Sequence, residues 1–206
     1  MIRLPYVPFL LFCTILMIAG CAQPPAEQMS AAEQAVKDAQ QSGAATYVPD
    51  EYAKLEGTLS AMKKEVADQE AKFALFRDYG KVEQLAATAK AEADRVKGEA
   101  VKKMDEAKSA AVQAHRDAQE AVKKAMDLVA KAPTGKDRAA LESIKTDAEA
   151  LKASLNDVQM MIDKSDYPAA KTKADAIREK SLAVSHEIET ALAKVSKAKP
   201  VSGKKK

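Results

Sequence analysis

The chain is poor in aromatic residues, cysteine and histidine. Among its 206 residues aromatics make up 4%, tryptophan is absent, and there are two cysteines and two histidines. Because Cys13 lies inside an apolar N-terminal run and Cys21 ends it, the pair is neither a disulfide framework nor a metal pair. His115 and His186 have no second His or Cys at metal-ligand spacing, so the sequence predicts neither a zinc site nor any other cofactor.

Alanine is the commonest residue, with 42 copies, and charged residues make up 31% of the chain. This mixture of Ala, Lys, Glu and Leu is typical of long helices and coiled coils. A core built mainly from Ala and Val buries little area per residue, which favours helices packed side by side over a thick globule. We therefore predict an all-α fold of elongated antiparallel helical hairpins, a coiled-coil-like bundle with one long Ala-rich helix.

The formal net charge of +3 hides an uneven distribution. No acidic residue follows Glu189, whereas six lysines do, so the body between residues 21 and 193 is mildly acidic. A nucleic-acid-binding protein would instead cluster its basic residues on a folded face. The sequence therefore predicts no nucleic-acid partner, and residues 196–206 are predicted to form a disordered basic tail.

Catalytic patterns are weak. Ser60 and Lys63 match the Ser-x-x-Lys of penicillin-recognising enzymes, but Met62 between them occupies a heptad core position and the companion motifs are missing. No glycine-rich phosphate loop is present, and the many carboxylates are expected to pair with lysines on solvated helix faces. The chain is predicted not to be an enzyme.

The N-terminus resembles a targeting segment. Met1–Arg3 is positive, and Leu4–Ala19 is apolar but interrupted by Pro5 and Pro8. Sixteen such residues are short for a spanning helix, which needs roughly 20. Residues 1–20 are therefore predicted to be a signal peptide, with an uncleaved membrane anchor as the alternative.

The quartet Ile18-Ala19-Gly20-Cys21 resembles the bacterial lipobox, in which an aliphatic residue and two small residues precede a cysteine that receives lipid. The resemblance implies acyl chains on Cys21, and several chains together make a stable membrane anchor. Ala22 differs from the Asp that retains lipoproteins at the inner membrane. The resemblance thus implies the periplasmic face of the outer membrane, or the exterior of the plasma membrane in a one-membrane bacterium.

Apolar periodicity predicts the helices of the mature chain. Residues 21–29 are read as a linker, and Ser30-Ala-Ala-Glu33 as a capping box opening a helix that Gly43 closes. After the connector 44–48, Pro49 starts a heptad helix that reaches Phe76. An 11-residue repeat then runs without a strong breaker from about Lys81 to Lys131. A second hairpin is predicted over 133–195, broken at Asp166-Tyr167-Pro168.

The two halves resemble each other, because each places a helix start 28 or 29 residues before an Asp-Tyr pair that opens an Ala-rich helix. This suggests either a duplicated hairpin or convergent composition. Most aromatics of the mature chain lie near predicted helix junctions, and they are expected to lock the bundle core. All the aromatics of the mature chain are Tyr47, Tyr52, Phe73, Phe76, Tyr79 and Tyr167.

A longer resemblance rests on Gly43-Ala44, Tyr47, Pro49 and Asp50, which follow one Ala-rich helix and open another. Over about residues 29–110 this pattern resembles the DUF4398 lipoprotein family, so 30–132 is taken as a DUF4398-like helical region. The chain has Val48-Pro49 where the family commonly has Ala-Pro. The resemblance implies an envelope lipoprotein and no catalysis.

Two functions follow as hypotheses. The first is a lipid-anchored structural or adaptor protein that contacts an envelope protein, or a second copy of itself, through helix surfaces. The second is a peptidoglycan tether, because Lys206 stands where the abundant wall-tethering outer-membrane lipoprotein has its wall-linked lysine. That protein is much shorter and ends in Tyr-Arg-Lys, which this chain lacks.

Overall fold

The computed structural model describes residues 23–132 and 138–198, and in these ranges the chain forms helices and no strand. The all-α prediction is therefore confirmed. By Cα packing the chain divides into two compact units, Met1–Lys103 and Met104–Lys206. The elements are α1 (Ala26–Gln41), α2 (Ala44–Tyr47), α3 (Pro49–Glu70), a 3-10 turn (Ala74–Phe76), α4 (Gly80–Lys131), α5 (Arg138–Asp163) and α6 (Tyr167–Ala198).

Helix α1 begins four residues earlier than the capping box predicts. Its first residue is Ala26, so residues 26–29 of the predicted linker are helical. The carbonyl of Pro25 accepts the first helical hydrogen bond from the Met29 amide, at 3.0 Å. Proline lacks a backbone N–H, but no helical hydrogen bond needs one before the first turn, so Pro25 is compatible with this helix start. Ser30 therefore falls within the second turn of α1.

Gly43 ends α1 as predicted and turns the chain into α2. Its φ is +83°, a left-handed conformation that L side chains rarely adopt, and an added Cβ would lie 3.0 Å from the Tyr47 ring. The predicted connector 44–48 contains the single helical turn of α2. Pro49 occupies the first turn of α3, as predicted.

The predicted end of α3 is wrong and the predicted extent of α4 is correct. Helix α3 ends at Glu70 rather than at Phe76, and the following residues form a loop with one 3-10 turn. Helix α4 runs from Gly80 to Lys131 and passes through Gly98, whose added Cβ would meet nothing within 4 Å. Because α4 continues past Lys103, it contributes residues to both compact units.

In the first unit α1, α3 and the start of α4 pack into two apolar clusters. One cluster contains Ala32, Met62 and Ala89, and the other contains Ala39, Leu55 and Val96. Along α1 the packed residue numbers rise while those of α3 fall, so α3 runs antiparallel to α1 and α4 runs parallel to it. Ion pairs join the helices outside the clusters, including Lys63 to Glu33 at 3.0 Å.

In the second unit α5 and α6 form the predicted hairpin. The chain reverses over residues 164–166, where Ser165 has a φ of 61°, and Tyr167 is buried at the start of α6. Lys173 of α6 pairs with Asp157 of α5 across the hairpin. Helix α6 extends to Ala198, so residues 196–198 of the predicted tail are helical. The rest of that tail lies outside the described residues.

Alanine supplies more than half of the buried apolar side chains in the described part of the chain. Small side chains allow helix backbones to approach closely, toward the short end of the usual 8–10 Å between axes. The few large residues that are fully buried include Leu55, Met62 and Ile188. The core of the described helices is therefore built mainly from small side chains.

Candidate functional site

The residues that the sequence singles out as sites lie outside the described residues. These are Ile18, Ala19, Gly20 and Cys21 of the lipobox-like quartet, and Lys206 at the C-terminus. Lipidation and wall attachment therefore stay predictions. The described residues nearest to Cys21 in sequence are those that lead into α1, which starts five positions later.

The loop between α3 and α4 carries the most exposed large apolar side chains of the first unit. Phe73, Leu75 and Phe76 are 69%, 78% and 74% exposed. The two phenylalanine rings lie 6.4 Å apart at an interplanar angle of 51°, within the range of favourable ring pairs. We call residues 71–79 the tip loop. Contiguous exposed apolar groups of this kind mark contact with a partner or a membrane.

A polar network holds the tip loop in place from inside the unit. The side-chain oxygen of Gln69, a buried residue, accepts hydrogen bonds from the Asp78 amide at 3.0 Å and from Lys72 Nζ at 2.9 Å. Its amide nitrogen donates to Glu65 at 2.8 Å. Both ends of the loop thus bond to one buried side chain, which keeps the loop ordered although its apolar tip faces solvent.

Arg77 and Asp78 complete the loop geometry. The Arg77 guanidinium donates from Nη2 to the Glu70 carbonyl at 2.9 Å and from Nε to the Lys72 carbonyl at 3.1 Å. The Glu70 carbonyl belongs to the last residue of α3, where free acceptors need partners, and the Lys72 carbonyl lies two residues beyond it. Asp78 Oδ1 accepts from the Gly80 amide at 2.9 Å and so caps the start of α4.

Lys81 closes the base of the loop. Its ammonium pairs with the Glu65 carboxylate across the two helices. Hydrogen bonds from Lys81 and then from Gln69 hold the pKa of Glu65 below its ordinary value. Cations therefore stand on both sides of the apolar tip, with Lys72 before it and Arg77 and Lys81 after it.

The tip loop lies at the same end of the first unit as the start of α1. Met29, in the first turn of α1, packs against the same cluster as Tyr79, which ends the loop, and Val82, which follows it. Gly43 and α2 belong to the opposite end, where Ala44 and Val48 pack with Tyr52 and Ala100. The chain therefore enters this unit beside the tip loop.

The sequence-based expectation for Phe73 and Phe76 is wrong. Both were placed at heptad core positions of a helix reaching Phe76, yet α3 ends at Glu70 and both rings are exposed. A signal was present, since Phe73–Phe76 is a contiguous apolar run between Lys72 and Arg77 rather than a spaced pattern. Tyr52, Tyr79 and Tyr167, by contrast, are buried as expected.

Tyr79 anchors the loop with its ring while its hydroxyl is buried without a hydrogen-bond partner among the described residues. An unsatisfied buried hydroxyl costs about 1–3 kcal/mol. We therefore expect Tyr79→Phe to leave the free energy of unfolding unchanged or to raise it by about 1 kcal/mol. Denaturant unfolding of both proteins measures this. A loss of stability in the phenylalanine variant would show that the hydroxyl is bonded.

The remaining polar candidates occupy ordinary helical settings. Lys63 of the Ser-x-x-Lys match forms its ion pair with Glu33, and Ser60 is exposed. His115 is buried, and burial lowers its pKa. His186 Nδ1 contacts the Thr190 hydroxyl at 3.3 Å. Within residues 23–132 and 138–198, no group of three or more His, Cys, Asp or Glu side chains could hold a metal ion.

A groove in the second unit, of about 710 Å³, is lined by residues of both charge signs. Lys124, one of its cations, pairs with Glu189 at 3.1 Å. Because acidic and basic groups are interspersed, the groove favours neither anions nor cations. Its charged residues are Asp117, Glu120, Asp127, Lys123, Lys124, Lys131 and Arg178.

Among the described helices none combines the length and the apolar character needed to cross a bilayer. No family model matches the chain, and neither the curated proteins nor the solved structures contain a significant match. The likeness to the DUF4398 lipoproteins therefore stays a prediction, and the candidate site rests on its own geometry.

Proposed function

We propose that the protein is a lipoprotein of the bacterial cell envelope, anchored through acylated Cys21, with a structural or adaptor role. The observation that carries this proposal is the Ile18-Ala19-Gly20-Cys21 quartet at the end of an apolar leader. Because Ala22 replaces the inner-membrane retention residue, the proposed location is the periplasmic face of the outer membrane. In a bacterium with one membrane it is the outer face of the plasma membrane.

The short segment between Cys21 and α1 would hold the helical part of the protein close to the membrane. Ala26 lies five positions after Cys21, and a chain segment of that length spans at most about 18 Å. An acylated Cys21 would therefore keep the first turn of α1 within that distance of the lipid. Several acyl chains, each contributing about 0.8 kcal/mol per buried CH₂, make such an anchor stable.

The helix surfaces support the structural or adaptor role. Their charged side chains form ion pairs along the helices, such as Lys64 with Asp68 and Lys171 with Asp175. Apolar side chains also reach the surface of the second unit, where Met160 is 51% exposed and Leu182 is 43% exposed. Exposed apolar side chains of this kind could pack against a helix of an envelope protein or of a second copy of the chain. Sedimentation at several protein concentrations separates these two partners.

The alternative function, a peptidoglycan tether through Lys206, makes a different covalent prediction. The first experiment is an intact mass of the protein extracted from its own envelope, with and without muramidase treatment. We expect loss of residues 1–20, added acyl mass at the new N-terminus and an unmodified C-terminus. A wall-peptide mass on Lys206 would favour the tether, and an unprocessed chain without lipid would contradict the anchor.

A further inference from the structure

We propose that the apolar tip formed by Phe73, Leu75 and Phe76 inserts into the surface of the bilayer that holds acylated Cys21. This inference rests on the proposed function, because it takes the lipid anchor as the first contact and the tip loop as the second. The protein would then touch lipid at two points of its first unit, and the axis of its three-helix bundle would stand away from the membrane.

The position of the loop is the first argument. The start of α1 lies five positions after the Cys21 anchor, and Met29 in that first turn packs into the same cluster as Tyr79 of the tip loop. The end of the unit that the anchor would hold at the membrane is thus the end that carries the exposed tip. At the other end, α2 and Pro49 lie a full α3 away, about 33 Å along a helix of 22 residues.

The side chains of the loop are the second argument. Aromatic and leucine side chains partition favourably into the boundary between headgroups and acyl chains. Lys72 and Arg77 flank them, and cations beside an inserted apolar group are attracted to anionic phospholipid. Of the nearby carboxylates, Glu65 is paired with Lys81, whereas Asp78 accepts only the Gly80 amide, keeps its negative charge and weakens the attraction. Glu70 is exposed and opposes part of this attraction.

The order of the loop is the third argument. Because Gln69 and Arg77 bond both ends of the loop to the end of α3, the apolar residues are presented without a further ordering step. Preorganisation of this kind lowers the entropic cost of binding. Three exposed apolar residues at one helix end would otherwise favour aggregation, so a lipid surface that covers them also explains how the chain tolerates them.

The chain contains no tryptophan, so the fluorescence of one introduced tryptophan comes from that position alone. Phe76→Trp is prepared in the acylated full-length protein and reconstituted into vesicles of phosphatidylethanolamine and phosphatidylglycerol. Part of the lipid carries brominated acyl chains, which quench tryptophan on contact. We expect emission at shorter wavelength than for an exposed tryptophan, and strong quenching by the brominated lipid.

Thr46→Trp is the matched control, because Thr46 is exposed at the opposite end of the same unit. We expect its tryptophan to emit as in water and to escape quenching. Leu75→Trp repeats the measurement from a second exposed position of the tip. Circular dichroism of each variant confirms that the helices are retained.

The outcomes separate the inference from the function on which it rests. Intact mass of the same samples reports acylation independently of fluorescence. Acylated protein whose tip tryptophans are no more quenched than the Thr46 control would overturn the inference and leave the anchor standing. Shorter-wavelength emission without quenching would overturn it in favour of a protein partner or a second copy on the tip. A mass without acyl chains would overturn the anchor, and the inference with it.

Discussion

Cys21→Ser is expected to abolish acylation and to release the protein from the outer-membrane fraction. A serine hydroxyl does not replace the thiolate that would take the lipid, and the proposed cleavage removes the leader immediately before that residue. The loss is large because each buried CH₂ of the acyl chains contributes about 0.8 kcal/mol to membrane binding. Intact mass and membrane fractionation measure it, and the variant is expected to keep its leader and carry no acyl mass.

Cys13→Ser is the matched control for this experiment. It makes the same atomic change in the only other cysteine of the chain, which lies inside the apolar leader. We expect Cys13→Ser to be processed, acylated and sorted as the unaltered protein is. Retention of Cys21→Ser in the outer-membrane fraction with full acyl mass would contradict the lipobox reading, as would loss of acylation in both variants.

The sequence predicted the long helix well because its signal is strong and local. Between Gly80 and Lys131 the apolar positions repeat every 11 residues, and Val96 and Ala118 of that repeat are fully buried. A single weak helix former such as Gly98 costs about 1 kcal/mol against alanine, which 52 residues of otherwise favourable helix tolerate. Helix existence and core face therefore follow from periodicity alone.

The ends of α1 and α3 depend on contacts that periodicity does not contain. A proline carbonyl starts α1 before the capping box does, and either start suits the local sequence. At the end of α3, heptad spacing continues through Phe73, but Gln69 bonds to Asp78 and Arg77 bonds to the carbonyl of Glu70. These bonds join residues nine and seven positions apart, yet they exist only once the chain has turned.

The candidate functional residues also differ in how far the sequence alone can predict them. The lipobox-like quartet predicts a covalent modification from four residues, without any folded context. The tip loop is a surface, and its existence depends on which apolar residues the fold leaves uncovered. Its contiguous run Phe73–Phe76 was visible, but burial in a helix and exposure in a loop are both compatible with such a run until the end of α3 is known.

Leu55→Ala is expected to lower the free energy of unfolding of the first unit by about 2–5 kcal/mol. Leu55 is fully buried among Tyr52, Val96 and Ala100. Its neighbours are mostly small, so few side chains can extend into the cavity that the substitution leaves. Denaturant unfolding of the detergent-solubilised protein measures the change as a lower midpoint at similar slope. Because domains are stable by only about 5–15 kcal/mol in total, the loss is severe.

Leu75→Ala is the matched control, since it removes the same atoms from a side chain that is 78% exposed. Its effect on unfolding is expected within about 0.5 kcal/mol, as for other surface substitutions. Two leucines 20 positions apart would then differ strongly in stability although both lie in one predicted heptad helix. If Leu75→Ala destabilises the unit as much as Leu55→Ala, the tip is packed against the protein and its apolar side chains are not available to lipid.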